Sequence, residues 1–152
     1  TPYIWIKLQH TVEYTTMTTR DDAWIGVAGE FLAASVLQRR FKTIATASSS
    51  SPYDLILENY SGAFYKCQVK STWYVQEING NFYWQWHPSR DSKKSYENKD
   101  VDFFAFVALP IRAVFFAVTP DVKSSVFRIK KDALDILIEE QSLEKVLKNL
   151  YE

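Results

Sequence analysis

Pro52-Tyr53-Asp54-Leu55-Ile56-Leu57-Glu58-Asn59-Tyr60-Ser61-Gly62-Ala63-Phe64-Tyr65-Lys66-Cys67-Gln68-Val69-Lys70 is the stretch whose reading decides the fold. Leu55 to Leu57 and Phe64 to Val69 are apolar, β-prone runs, and Gly62 can take the positive φ that ends a three-residue hairpin loop. A loop of Tyr60-Ser61-Gly62 sets Asn59 opposite Ala63 and, counting along both strands, Asp54 opposite Gln68. Opposed side chains share a face, with Cβ atoms about 4.5–5.5 Å apart. Side chains alternate along a strand, so Lys70 joins Gln68 while Val69 points the other way. An acid, an amide and a lysine thus converge. Carboxylate and amide oxygens suit a hard divalent cation that keeps several waters, and a nearby lysine can orient or activate one of those waters. The bland alternative is a surface hairpin with scattered polar residues.

The chain around this hairpin has 152 residues, enough for one domain with a real core, and a 47% hydrophobic content excludes general disorder. Eighteen basic and eighteen acidic residues cancel, so no global field draws the protein to nucleic acid or to an anionic membrane. Any DNA-binding face must be local. Aromatic residues at 16% exceed what a small core needs and suggest some on a binding or subunit surface. The single cysteine, Cys67, cannot form an internal disulfide, which fits a reducing cytoplasm. No signal peptide, repeat or span-length apolar run is visible, and no membrane partner is expected.

Upstream, Thr1 to Thr16 includes the β-prone Tyr3-Ile4-Trp5-Ile6-Lys7-Leu8. Met17 is the only methionine, so residues 1–17 are either an extension ahead of a natural start or an edge strand or arm. A helix is expected from an N-cap at Thr18 or Thr19, with Asp21 and Asp22 in its first turn, to about Arg40. At 100° per residue, Trp24, Ala28, Phe31 and Ser35 form a core stripe flanked by Val27, Leu32 and Ile25. Glu30 then lies about 140° from the stripe's middle and is not a core residue. Gly26 and Gly29 cost helix stability nearby, which implies that something approaches closely on that side.

Phe41 to Ala47 reads as a strand, and a Ser-rich loop leads from it into the hairpin. Downstream, Trp73 to Ile78 and Phe82 to His87 flank Asn79-Gly80, the strongest short hairpin signal. Its two-residue turn puts Tyr74, Gln76, Ile78, Asn81, Tyr83, Gln85 and His87 on one face and Trp73, Val75, Glu77, Phe82, Trp84 and Trp86 on the other. The aromatic face is expected to pack. The polar face carries groups that read base edges, and a two-stranded ribbon fits the major groove. An unbroken strand from Gln68 through Lys70, Thr72 and Tyr74 to Gln76 extends the metal face into this ribbon.

Arg90, Lys93, Lys94 and Lys99 lie in a loop suited to phosphate contacts. Val101 to Leu109 and Arg112 to Val118 are strongly apolar, a central and a neighbouring strand, and Val126 to Ile129 is a short edge strand. Two C-terminal helices are expected within 132–152: Asp132 to Glu140, then Ser142 to Tyr151 with Leu143, Val146, Leu147 and Leu150 along a core stripe. His10 and His87 lack a zinc spacing, and no Gly-rich phosphate loop or Gly-x-Ser-x-Gly elbow exists.

Gly29-Glu30, Pro52-Tyr53-Asp54-Leu55-Ile56 and Gln68-Val69-Lys70 together resemble the PD-(D/E)xK nuclease superfamily in order and spacing. Asp100 to Val107, followed by Val114 to Pro120, looks like the branch of archaeal Holliday-junction resolvases and group I intron-encoded homing endonucleases. The long second hairpin favours the bacterial homing type. The resemblance covers about residues 18–130. It implies an α+β, restriction-endonuclease-like fold, with a mixed central sheet flanked by helices and an extended hairpin at 72–88 after the catalytic strand. It further implies one nuclease domain, Mg2+, double-stranded DNA as partner, and a homo-oligomer, dimer or tetramer. By the same resemblance Asp54 is the central metal-binding acid, Lys70 the motif lysine and Glu30 the helix acid. Gln68 stands where Glu or Asp is usual, one negative charge short and a weaker oxygen ligand.

The expectation is a site-specific, metal-dependent double-strand DNA endonuclease. Asp54, Gln68 and Glu30 hold the metal, and these three with Lys70 make the catalytic set. Tyr74, Gln76, Tyr83, Gln85 and His87 read sequence, while Arg90, Lys93, Lys94 and Lys99 hold the backbone. The alternatives are a structure-selective junction resolvase and a non-catalytic DNA-binding protein with a degenerate nuclease core.

Overall fold

The computed structural model describes residues 22–88, 100–123 and 125–152. The expected N-terminal extension, the caps at Thr18 and Thr19, and the basic residues Arg90, Lys93, Lys94 and Lys99 lie outside the described residues.

The hairpin forms as its turn dictates. Strands β2 (Leu55–Glu58) and β3 (Phe64–Thr72) pair antiparallel with Leu55 opposite Cys67 and Glu58 opposite Phe64, the register expected from a Tyr60-Ser61-Gly62 loop. Gly62 sits at φ +90°, where a Cβ would be strained. The Asn59 side chain closes the loop by accepting from the Ser61 and Ala63 N–H groups at 3.1 and 2.8 Å.

Five strands make the main sheet in the order β1 (Thr43–Thr46), β2, β3, β6 (Phe103–Ala108) and β7 (Ala113–Val118). All neighbours are antiparallel except β3 and β6, so the sheet is mixed, as expected. Three further strands, β4 (Val75–Ile78), β5 (Asn81–Trp86) and β8 (Phe127–Lys130), form a second sheet with β5 in the middle. Asn79 at φ +50° and Gly80 at φ +81° make the tight β4–β5 turn, and Val75 opposite Trp84 confirms its register.

The main sheet has two buried faces. Cys67, Val69, Phe103, Ala105 and Val107 join one core with helices α1 (Ala23–Leu37) and α2 (Ile136–Tyr151). Phe104 and Phe106 face the other core, where Trp84 and Trp86 of the second sheet pack. Both helices thus lie on one face and the small sheet covers the other. The aromatic side of the β4–β5 hairpin packs as expected at Trp84 and Trp86, although Phe82 at its tip stays exposed.

Three expectations fail for identifiable reasons. The core stripe of α1 is Ile25, Gly29, Ala33 and Leu37, whereas Phe31 is 72% and Val27 55% exposed. Only Glu30 and Ser35 are polar in this helix, so apolar periodicity carries no direction. The strand from Gln68 towards Gln76 is broken: β3 ends at Thr72, the Tyr74 N–H turns back to the Thr72 hydroxyl at 3.4 Å, and β4 joins the other sheet. The ribbon is therefore not a continuation of the β3 face.

Finally, one C-terminal helix replaces the expected two. Asp135 caps it, accepting from the Ile138 N–H at 2.9 Å, and Lys131–Ala133 form only a short turn before it. Ser142 is not an N-cap. Its hydroxyl accepts from the Phe116 N–H at 3.0 Å, while the Glu139 carboxylate accepts from the Val114 N–H at 2.8 Å. These two side chains, one turn apart, occupy the open edge of β7 and close it to strand addition. Leu143, Val146 and Leu147 are core, as expected.

Candidate active site

Asp54 stands one residue beyond the last rung of the β2–β3 ladder. Its N–H donates to the Cys67 carbonyl at 2.9 Å and its carbonyl accepts from the Ala47 N–H at 2.8 Å, so β3 and β1 fix its backbone from both sides. The β2 strand has no further residue to offer β3 here. The Asp54 carboxylate takes that place, accepting from the Val69 N–H at 2.9 Å. The ladder, in the register the turn arithmetic gives, stops one rung short of an Asp54–Gln68 pair, and the Asp54 side chain reaches one residue past Gln68 to the Val69 N–H.

Asp54 is the charge that both other ionisable members of the site feel. Burial raises the Asp54 carboxyl above its ordinary range, against the Val69 hydrogen bond and the Lys70 charge, which lower it. Burial, then repulsion from Asp54, raises the carboxyl of Glu30, which sits half-buried on α1. Lys70, half-buried on β3, is lowered by burial and partly held up by Asp54. Glu30, Asp54 and Lys70, distant in sequence, are thus brought together. Gln68 lies at this end of β3 as well, 8% exposed, its amide nitrogen 3.4 Å from the Val69 carbonyl.

Among the described residues, no three or more His, Cys, Asp or Glu side chains converge to hold a metal. Beside the two carboxylates, Gln68 is the further oxygen-bearing side chain at this end of β3.

The sequence pattern of the PD-(D/E)XK endonuclease family matches residues 18–133. The chain belongs to this family. Among solved structures it is similar to "The structure of a bacterial homing endonuclease: I-Ssp6803I", with a TM-score of 0.59 and 16% identity over 85% of this chain and 99% of that one. At that identity the likeness speaks for the fold, which is restriction-endonuclease-like. Comparison with curated proteins gives no match. No described helix is long and apolar enough to cross a membrane.

PD-(D/E)XK nucleases use divalent metals, and the residues here fit one. Burial raises both carboxyls, the Asp54 charge raises Glu30 further, and Lys70 offsets part of this at Asp54; a cation would favour the charged form of both acids. Hard divalent ions are commonly held by one or two carboxylates together with water and substrate phosphate.

The expected DNA-contacting residues divide. Gln76, Tyr83, Gln85 and His87 lie along the solvent side of the second sheet, with Gln76 opposite Tyr83 and a Gln85 to His87 contact of 3.4 Å. Tyr74 lies between the sheets, 39% exposed, its hydroxyl donating to Asp22 at 3.4 Å. The structure adds two cations that the sequence reading missed. Strand β8 places Arg128 opposite Gln85 and Lys130 opposite Tyr83, and the Arg128 guanidinium donates to the Gln85 amide oxygen at 2.7 Å. The only sequence signal was alternation over Phe127–Lys130, with cations at every second position.

Proposed function

We propose that the protein is a site-specific endonuclease that hydrolyses phosphodiester bonds of double-stranded DNA with Mg2+, acting as a homing endonuclease. The observation that carries this reading is the convergence of Glu30 and Lys70 on Asp54 in a chain of this family. Asp54, Glu30 and the Gln68 amide oxygen would hold the cation. When bound, it supplies positive charge at the scissile phosphate and acidifies a water.

The chain's own groups do the rest. Asp54, anchored through the Val69 N–H, fixes where the negative charge of the site lies. Burial favours the neutral amine of Lys70, so its Nζ gives up a proton more easily than a surface lysine. In that form it can accept a proton from the attacking water, and as the ammonium it donates hydrogen bonds to the phosphate oxygens. The second sheet presents Gln76, Tyr83, Gln85 and His87 to base edges in the major groove, with Arg128 and Lys130 against phosphates. Tyr74, Arg90, Lys93, Lys94 and Lys99 add backbone contacts in this reading. In this reading two or more copies act together, each supplying the site for one strand.

Incubation with supercoiled plasmid libraries and Mg2+ tests the proposal. Discrete linear products that vanish with EDTA, and with Asp54→Asn or Lys70→Ala, are expected. Full cutting by both variants would refute the assignment. Preference for a four-way junction over linear duplex would favour the resolvase alternative. Tight DNA binding without metal-dependent cutting would favour the degenerate-core one.

A further inference from the structure

Helix α1 carries two interior glycines, and they differ in kind. A Cβ built on Gly26 meets nothing within 4 Å. A Cβ built on Gly29 falls 1.6 Å from the Ser71 hydroxyl oxygen and 2.7 Å from the Ser71 Cβ. Rotating the serine side chain moves the first atom but not the second, so a side chain at position 29 cannot coexist with Ser71 at the present helix–strand distance. Gly29 is buried, and α1 packs chiefly on β3, so helix and strand lie close together here. The Ser71 oxygen is itself buried and makes no hydrogen bond among the described residues. A hydroxyl left unsatisfied costs stability, as does a glycine in a helix interior, and the fold carries both at one contact.

The neighbours of this contact give it meaning. Gly29 precedes Glu30 and Ser71 follows Lys70, so one contact joins the two segments that bring an acid and a lysine to Asp54. We infer that the Gly29–Ser71 contact is the positioning device of the site: it sets how deeply α1 lies on β3 and therefore how closely Glu30 approaches Asp54. Glycine at 29 and a small side chain at 71 form a matched pair. Moving the side chain from one partner to the other restores the fit, because with Ser71 trimmed to glycine the nearest remaining neighbour of a Cβ at 29 is the Val107 Cβ at 3.7 Å, an ordinary contact. Neither residue touches substrate. Both act through Glu30, and the inference rests on the nuclease reading only for its effect on cutting.

The test compares Gly29→Ala, Ser71→Gly and the double variant with the parent chain. Crystal structures give the Glu30 to Asp54 separation, electron paramagnetic resonance of added Mn2+ gives cation affinity, and plasmid cleavage gives activity. Gly29→Ala is expected to lift α1 and carry Glu30 away from Asp54, weakening Mn2+ binding about tenfold or more and slowing cleavage by about a hundredfold. The double variant is expected to return all three to the level of Ser71→Gly alone. Glu30 found in its parental place in Gly29→Ala overturns the inference, as does a folded double variant that keeps the loss. Should Gly29→Ala not fold, the double variant decides: folded with Glu30 beside Asp54 it upholds the inference, unfolded or displaced it overturns it. A parent chain that neither cuts DNA nor binds Mn2+ ends the nuclease reading, while the crystal comparison still judges the positioning of Glu30.

Discussion

The Asp54 carboxylate accepts the Val69 N–H at 2.9 Å, in the place that the next residue of β2 would take. Asp102 does the same on the other side of β3, accepting the Lys66 N–H at 2.7 Å where β6 has not yet begun. Two acids thus finish the hydrogen bonding of one strand, and only Asp54 also faces Glu30 and Lys70. The structural and chemical roles of Asp54 separate in Asp54→Asn. The amide oxygen still accepts the Val69 N–H, but the negative charge is gone. Asp54→Asn is expected to melt within a few degrees of the parent while losing metal-dependent cleavage to background, read by circular dichroism and plasmid assay. Asp54→Ala leaves the Val69 N–H unpaired and is expected to cost about 1–3 kcal/mol as well.

Gln68 is the departure from the family pattern, and its burial shapes what an acid would do there. At 8% exposure, with its amide nitrogen towards the Val69 carbonyl, it donates where a carboxylate can only accept. Gln68→Glu without metal therefore buries a third negative charge beside Asp54 and is expected to lose about 1–3 kcal/mol at neutral pH. With Mn2+ present the extra oxygen anion becomes a ligand, so the variant should bind the ion more tightly than the parent and recover its melting temperature. A melting temperature insensitive to Mn2+ in both proteins would count against Gln68 as part of a cation site.

Local turn chemistry made much of this legible beforehand. Gly62 and Asn79-Gly80 fix loop lengths, and the two hairpin registers follow by counting. Counting along the first hairpin singles out Asp54 and Lys70, and the helix stripe singles out Glu30; in the structure the Asp54 charge acts on both of the others. Non-local relationships were not legible. The packed face of α1 carries Gly29 against Ser71, which a nearly all-apolar helix does not announce in its sequence. The sequence starts a second C-terminal helix at Ser142, whose partner, the Phe116 N–H, lies 26 residues away. Arg128 and Lys130 reach the side of the second sheet that carries Gln85 and Tyr83 only because β8 pairs with β5.

Glu139 offers a test away from the site. Its carboxyl is raised by burial, against the lowering effect of the Val114 N–H. A raised acid holds its proton in the folded state after the unfolded chain has lost it. Stability from this group therefore falls as pH rises from the ordinary glutamate range through the higher folded value. Glu139→Gln keeps an acceptor for Val114 and does not titrate. The stability of Glu139→Gln relative to the parent is expected to increase from pH 4 to pH 7 in urea titrations, and a flat difference would refute this. Glu139→Ala, by contrast, should be destabilised by about 1–3 kcal/mol at every pH, because the β7 edge loses a partner.

Under the proposed function the solvent side of the second sheet holds a reader and a clamp, and salt dependence tells them apart. Lys130, opposite Tyr83, is placed as a point charge for phosphate. Lys130→Ala should weaken binding alike on all sequences and reduce the slope of log affinity against log salt by about one. Gln85 is held by the Arg128 guanidinium at 2.7 Å, leaving its amide nitrogen towards His87 and solvent. Gln85→Ala should keep the salt slope and instead relax preference at one base pair, by about 1–3 kcal/mol. Arg128→Ala should do both, since it removes a cation and releases Gln85. Fluorescence anisotropy on a cleaved site and its single-base variants, between about 50 and 200 mM salt, measures each effect. Equal salt slopes for the parent, Lys130→Ala and Arg128→Ala would place the DNA on another surface.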